Sequence, residues 1–252
     1  MSITKRLAAA AGATVAALLG RRARRLLIPV VEVVITPVAL GAALSAGAMA
    51  FFFNLADDIR GQDGVWRFDH DGLNLAKSLR TPQRTALMRT VSDLARPDIM
   101  AALGAASVLI AWRSYRWRNE AILMAVVLSG GGTIIGTIKY RVGRERPNLV
   151  EALATEETFS FPSGHSFSAL CFYGTLAYWW MKNKPLWERV GIGVLATKFI
   201  ALVGVSRVYL GVHYPSDVLA GYAAAFPWLT ACLVAYEKYE RRIAQLPGGQ
   251  RL

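Results

Sequence analysis

Six stretches of the chain are almost continuously apolar, and the polar residues gather between them. The blocks run over residues 26–53, 98–115, 120–138, 165–181, 190–207 and 217–236. A helix that crosses a bilayer needs about 20 apolar residues, each rising 1.5 Å. The pattern therefore predicts six spanning helices. The second block is the weakest: its unbroken apolar core runs only from Ile99 to Trp112, with Arg113 and Arg116 placed to snorkel at one end. Trp112, Trp117, Trp179, Trp180 and Trp187 fall near block ends, where interfacial aromatics collect. Gly130, Gly131, Gly132 and Gly136 lie in the third block. In a membrane such residues let a neighbouring backbone approach closely, or let the helix kink.

The polar stretch after the first block is long. Within it, Thr81-Pro82 reads as an N-cap followed by proline in the first turn. Leu87, Met88, Val91 and Leu94 then make one apolar face, with Arg84 and Arg89 off it. A short helix is expected here, lying on the membrane surface or packed on the bundle. The fold class is thus all-α: a six-helix transmembrane bundle with a long outer loop carrying short interfacial helices. No linker or repeat divides the chain. Its expected parts are a cytoplasmic segment 1–25, a six-span domain 26–236 and a cytoplasmic tail 237–252.

Composition agrees: 54% of residues are hydrophobic and 18% charged, against roughly 45–50% and 25% in soluble domains. The net charge of +12 would suit nucleic acid, but its distribution argues for a membrane. With the N-terminus inside and six crossings, the inner segments hold 16 Lys/Arg and 4 Asp/Glu, and the outer ones 12 of each. The excess lies on one side, as the positive-inside rule requires, and no nucleic-acid partner is expected. Lys5-Arg6 and the apolar run after them mimic a signal peptide, but Arg21-Arg22 and Arg24-Arg25 stand where a small-residue cleavage site belongs. A retained segment is expected. Cys171 and Cys232 lie inside apolar blocks and read as small hydrophobes, with no disulfide or metal implied. Lys198 and Glu32 fall within predicted spans. An ion pair between them, or snorkelling of each to the inner interface, accounts for both.

Three polar clusters fall on the predicted outer face. The first runs from Lys139 to Pro147 and includes Arg141, Arg144 and Arg146. Arginine forks suit phosphate oxygens; an interfacial collar gripping headgroups is the plainer account, and it fits Arg141 and Arg144 well. The second is Pro162-Ser163-Gly164-His165. Ser163 caps a helix there, and the same geometry offers backbone N–H groups to an anion, with Gly164 leaving room for it. The third is Ser206-Arg207 followed by His213 and Asp217. Asp217 either steadies a helix start or accepts Nδ1–H from His213, leaving Nε2 as a nucleophile.

The spacings Lys139-x6-Arg146-Pro147, Pro162-Ser163-Gly164-His165 and Ser206-Arg207-x5-His213-x3-Asp217 resemble the three-part signature of the type-2 phosphatidic acid phosphatase superfamily. The motifs cover residues 139–217, and no position departs from the pattern. The resemblance implies a lipid phosphatase working through a phosphohistidine. His213 would be the nucleophile, Asp217 its orienting partner, and His165 the general acid, protonated when substrate arrives. Lys139, Arg146, Arg207, Ser163 and Gly164 would hold the phosphoryl oxygens. Phosphoryl transfer asks mainly for positioning and positive charge, which these residues supply with no metal or other cofactor expected.

The implied partners are a lipid phosphate and the bilayer, and the implied location is a bacterial inner membrane, with both termini cytoplasmic and the site outside. That topology favours undecaprenyl pyrophosphate as substrate, ahead of phosphatidylglycerol phosphate and phosphatidic acid. The segment 148–161, with Glu151, Glu156 and Glu157, borders the expected entrance; a solvated loop accounts for it equally. Two other classes remain: a vanadate-dependent haloperoxidase, which would be soluble, and a lipid-phosphate binding or transport protein, which has no need for His213, Asp217 and His165 together.

Overall fold

The computed structural model describes residues 37–61, 64–114 and 117–245. Among them lie eight α-helices and no strand: α1 (Pro37–Gly61), α2 (Val65–Ser78), α3 (Pro82–Asp93), α4 (Pro97–Arg113), α5 (Arg118–Val142), α6 (Gly164–Met181), α7 (Leu186–Tyr209) and α8 (Pro215–Ala244). Residues 1–47 and 48–252 are separate units. The described part of the first is the opening of α1, whose Val38, Leu40 and Leu44 are exposed. In the second unit α6 packs on α7 and α8, α5 on α4, α6 and α8, α3 on α7, and α2 on α7 and α8.

Four described helices are long and apolar enough to cross a membrane: Val38–Gly61, Arg118–Val142, Leu186–Tyr209 and Pro215–Ala244. The other two predicted spans form helices of 17 residues (α4) and 18 residues (α6). At 1.5 Å per residue these reach about 26 and 27 Å, slightly short of a hydrocarbon core of about 30 Å. The apolar surface is consistent with a lipid solvent: Leu195, Val194, Val126 and Leu109 are all exposed. Trp112 ends α4, Trp117 precedes α5, Trp180 is near the end of α6 and Trp187 opens α7. All four tryptophans are exposed and belong to the helix ends away from the three motifs.

The core is built on small residues at the crossing of α5, α6 and α8. A Cβ on Gly130 would come within 2.4 Å of the Trp228 ring, and one on Gly131 within 2.7 Å of Phe167. Trp228 also donates its indole N–H to the Val127 carbonyl at 2.9 Å. Close approach therefore explains these two glycines, and α5 runs through them without a break. Gly132 and Gly136 face open space.

The helix in the long polar stretch begins as its sequence indicates. Thr81 is the N-cap of α3, its hydroxyl accepting from Arg84 N at 3.2 Å, and Pro82 follows. Val91 is buried and Met88 packs beneath, while Leu87 and Leu94 stay exposed. The same face thus serves the bundle in part. Residues 237–244, assigned to a tail, continue α8 to Ala244. The segment 1–25 and Glu32 lie outside the described residues, so the Glu32–Lys198 pair does too; Lys198 itself is exposed on α7.

Candidate active site

The three motifs meet at one end of the second unit because α5 and α7 finish there while α6 and α8 start there. Lys139 is buried in the last turn of α5, and Gly143 ends that helix with φ 66°. The chain then runs as a loop carrying Arg144, Arg146 and Glu156 until Ser163 caps α6. Arg207 is buried in the last turn of α7, His213 lies in the short connection, and Asp217 is the third residue of α8. The Ser163 N–H donates to the Asp217 carbonyl at 2.9 Å, which ties the start of α6 to the start of α8.

His213 and Asp217 are fully enclosed. His213 Nδ1 is 3.4 Å from Asp217 Oδ2, and Nε2 is 3.3 Å from Arg146 Nη1. A guanidinium can only donate. The bond to Nε2 therefore makes that nitrogen the acceptor and leaves the proton on Nδ1, facing Asp217. Burial pushes the His213 imidazole down to about 4, with Asp217 pulling the other way. At neutral pH the ring is uncharged, with its Nε2 lone pair directed at the Arg146 guanidinium.

Asp217 Oδ2 also accepts from Ser160 Oγ and, at 2.9 Å, from the Tyr214 N–H; Oδ1 accepts from Arg144 at 2.6 Å. The Tyr214 bond is half of a capping box, so Asp217 serves the helix start and His213 together. The two roles the sequence left open are both filled.

Lys139, Arg146 and Arg207 lie near one another at this end. Lys139 donates to the Phe159 carbonyl, while Arg146 donates to the carbonyls of Thr158 and Val212 at 2.8 and 2.7 Å. Arg207 is 2% exposed; it donates to Ser92 and Glu156, and its Nε is buried with no partner. Glu156 also approaches Arg146 at 3.5 Å and His165 Nδ1 at 3.9 Å. A carboxylate thus lies among the groups that a phosphate would engage. Beside it a polar cavity of about 470 Å³ is lined by His165, Arg207, Arg89, Arg96, Ser92 and Asp93, among others. Ser163 Oγ is committed to the cap, accepting from Ser166 N at 3.4 Å and Ser166 Oγ at 3.1 Å. A Cβ on Gly164 would meet only Lys139 Cε, at an ordinary 3.7 Å. The protein's own packing therefore does not demand glycine there.

Two sequence readings are corrected. Arg144, assigned to an interfacial collar, is instead part of the site's interior, bound to Asp217 and Asp69. Glu156 is not simply a solvated loop residue, since it pairs with buried Arg207. Asp69, Ser92 and Ser160 escaped notice, and Ser216 was given no role. Each acts through a partner at least 50 residues away or through a bond to the Arg144 segment, and no local pattern marks them. Among the described residues no group of three or more His, Cys, Asp or Glu side chains is arranged to hold a metal ion.

Comparison with known proteins gives a consistent answer. Residues 119–241 match the family model described as PAP2 superfamily. A phosphatidylglycerophosphatase B of Bacillus subtilis is 38% identical over 69% of this chain and 85% of its own length. A putative undecaprenyl-diphosphatase of Escherichia coli is 26% identical over 62% of this chain and 75% of its own. Among solved structures, the PAP2-type phosphatidylglycerolphosphate phosphatase of Bacillus subtilis superposes with a TM-score of 0.68 at 29% identity, covering 78% of this chain and 98% of that one.

Proposed function

Since the chain belongs to the PAP2 superfamily and is a membrane phosphatase, we propose that it hydrolyses a lipid phosphate through a phosphohistidine formed on His213. The carrying observation is that uncharged His213 turns Nε2 toward Arg146, 3.3 Å away, with Lys139 and Arg207 buried at the same end of the bundle. Positive charge arranged in advance around a transferring phosphoryl group is what this chemistry needs. In this reading the phosphate displaces the Glu156 carboxylate, and the unpartnered Arg207 Nε adds a donor to it. Nε2 attacks phosphorus, Asp217 holds and stabilises the imidazolium, and His165 protonates the leaving oxygen. Water then cleaves the phosphohistidine. Lys139 and the first N–H groups of α6, at Gly164 and His165, complete the cradle, with Ser163 holding that helix start in place.

The finer architecture belongs to the same proposal. All six apolar blocks cross the membrane, α4 being accommodated by Trp112 and Arg113 at its end and α6 by Trp179, Trp180 and Lys182. The termini are cytoplasmic and the site faces outward.

Phosphatidylglycerol phosphate is the leading substrate, supported by the names of the Bacillus subtilis relative and of the solved structure. Undecaprenyl pyrophosphate is the second reading, favoured by the topology and by the name of the Escherichia coli relative. The test is phosphate release by detergent-purified protein in excess EDTA, on both lipids and on phosphatidic acid. Activity that survives EDTA and vanishes in a folded His213→Ala variant is the expected result. No release from any lipid by folded protein would overturn the reading.

A further inference from the structure

Arg144 carries more of the site than its neighbours in the basic run suggest. Its Nη1 donates to Asp217 Oδ1 at 2.6 Å and to Ser216 Oγ at 2.8 Å, and its Nη2 donates to Asp69 Oδ2 at 2.7 Å. The guanidinium lies over the Tyr214 ring, 4.0 Å from its centroid. Asp69 comes from α2, in the long polar stretch, and is 1% exposed. It also accepts from the Ser216 N–H at 2.9 Å and the Ser216 hydroxyl at 2.6 Å. Alongside this bond α2 touches α8 closely enough that a Cβ on Gly72 would come within 2.5 Å of Pro215 Cγ. Two carboxylates on different helices therefore share one guanidinium at the start of α8.

We propose that Arg144 is the positioning residue for Asp217, and that α2, through Asp69, completes the clamp. This rests on the phosphohistidine reading above. Asp217 has both oxygens fixed by groups other than His213: Oδ1 by Arg144, and Oδ2 by Ser160 and the Tyr214 N–H. Its contact with His213, at 3.4 Å, is longer than these, so the carboxylate is aimed before the imidazole meets it. Arg144 also supplies the counter-charge of buried Asp217. Without it the Asp217 carboxylate would sit buried beside a second carboxylate with no cation between them, which favours its protonated form. A protonated Asp217 no longer stabilises the imidazolium that forms as His213 attacks. A planar fork can serve both acids at once, and a lysine ammonium cannot do so in the same geometry. The bonds of Arg144 run to Asp217, Ser216 and Asp69, and Asp217 faces Nδ1 of His213 while Arg146 meets Nε2.

The experiment compares wild type, Arg144→Gln, Arg144→Lys and Asp69→Asn in detergent, measuring kcat, KM and the vanadate inhibition constant. Arg144→Gln is expected to lower kcat roughly 100-fold, with KM and the vanadate constant within about 3-fold of wild type. Arg144→Lys should fall between the two, and Asp69→Asn should lose about 10-fold in kcat. On an Asp217→Asn background, Arg144→Gln should cost no more than about a further 3-fold, because the partner it acts through is gone. A merely structural arginine would cost the same on both backgrounds. In protein labelled with ¹⁵N-histidine, the Nδ1–H resonance of His213 should move on Arg144→Gln, a readout independent of turnover.

Vanadate binding that weakens in step with kcat would make Arg144 a phosphate ligand and overturn the proposal. So would an undiminished loss on the Asp217→Asn background, or an unmoved His213 resonance. Wild-type kcat in Asp69→Asn would remove α2 from the clamp. Should Arg144→Gln not fold, Arg144→Lys takes its place in the same comparisons. A wild type that turns over no lipid, yet whose His213 resonance responds to Arg144, would sink the functional reading alone.

Discussion

Asp217 and Glu156 are both carboxylates beside a histidine of the site, and they are held in opposite ways. Asp217 is wholly buried and accepts from the Tyr214 backbone, Ser160 and Arg144 as well as facing His213. One of those donors belongs to a helix start, and Arg144 is itself anchored by Asp69. Glu156 sits on the loop before α6 with its side chain 21% exposed, paired with Arg207 and approaching Arg146 and His165. Its partners are the cations proposed to hold phosphate, one of which keeps an unpaired buried N–H. The difference teaches how one site combines rigidity with exchange. The side of the proposed nucleophile is bonded to the fold, so it is fixed before substrate arrives. The side proposed to take the anion is bonded to a half-buried loop carboxylate, which in this reading neutralises the cations until phosphate replaces it.

Several substitutions would break or sharpen this contrast. The largest effect is expected from Asp217→Asn, which removes the carboxylate and disturbs the tautomer: kcat on lipid phosphate should fall about 10³–10⁴-fold. A loss under 10-fold would mean that Asp217 is mainly a helix cap. His165→Ala should lower kcat about 10²–10⁴-fold, the contribution of a general acid. The loss should shrink on a substrate analogue whose leaving group needs no proton, such as a nitrophenyl phosphate. Glu156→Gln acts on the exchangeable side and should have the opposite sign in binding. The vanadate inhibition constant should drop about 3- to 10-fold, because the anion no longer competes with a resident charge. An unchanged constant would make Glu156 a fixed part of the wall.

The pH profile gives a subtler test. An ordinary histidine gains a proton as pH falls through about 6.5, and would lose its nucleophilicity there. His213 is held lower, at about 4, so it should remain uncharged and reactive down to that region. NMR titration of the labelled ring checks this directly, and a midpoint above 6 would contradict it. The smallest effect should come from Thr81→Ala, whose hydrogen bonds include those to Arg84 and Tyr209 and reach neither carboxylate. It removes the α3 cap at a cost of about 1 kcal/mol, lowering the melting temperature with kcat unchanged.

The proposed phosphate and histidine residues were legible in the sequence because each sits at a fixed offset from a helix end. Lys139 closes α5, Ser163 and His165 open α6, Arg207 closes α7, and His213 and Asp217 bracket the start of α8. Apolar blocks located those ends, and the resemblance of the motif spacings to a family signature did the rest. The α3 cap was legible for the same reason. Arg144, Asp69 and Glu156 were not. Arg144 meets Asp69 and Asp217 at separations of 75 and 73 residues, and Glu156 meets Arg207 at 51. Nothing in a run of arginines tells which one turns inward.

What the sequence by itself determined was the solvent, the helical class and the chemistry present at one end. Apolar length, charge asymmetry and helix-terminal motifs are local or additive quantities, and they survive without knowledge of packing. Tertiary structure alone decided which charges neutralise which. A buried charge must find its counter-charge wherever the helices bring one within reach. That pairing depends on how α2, α5, α7 and α8 cross, and so does the proposed division of the site into a fixed carboxylate and a replaceable one.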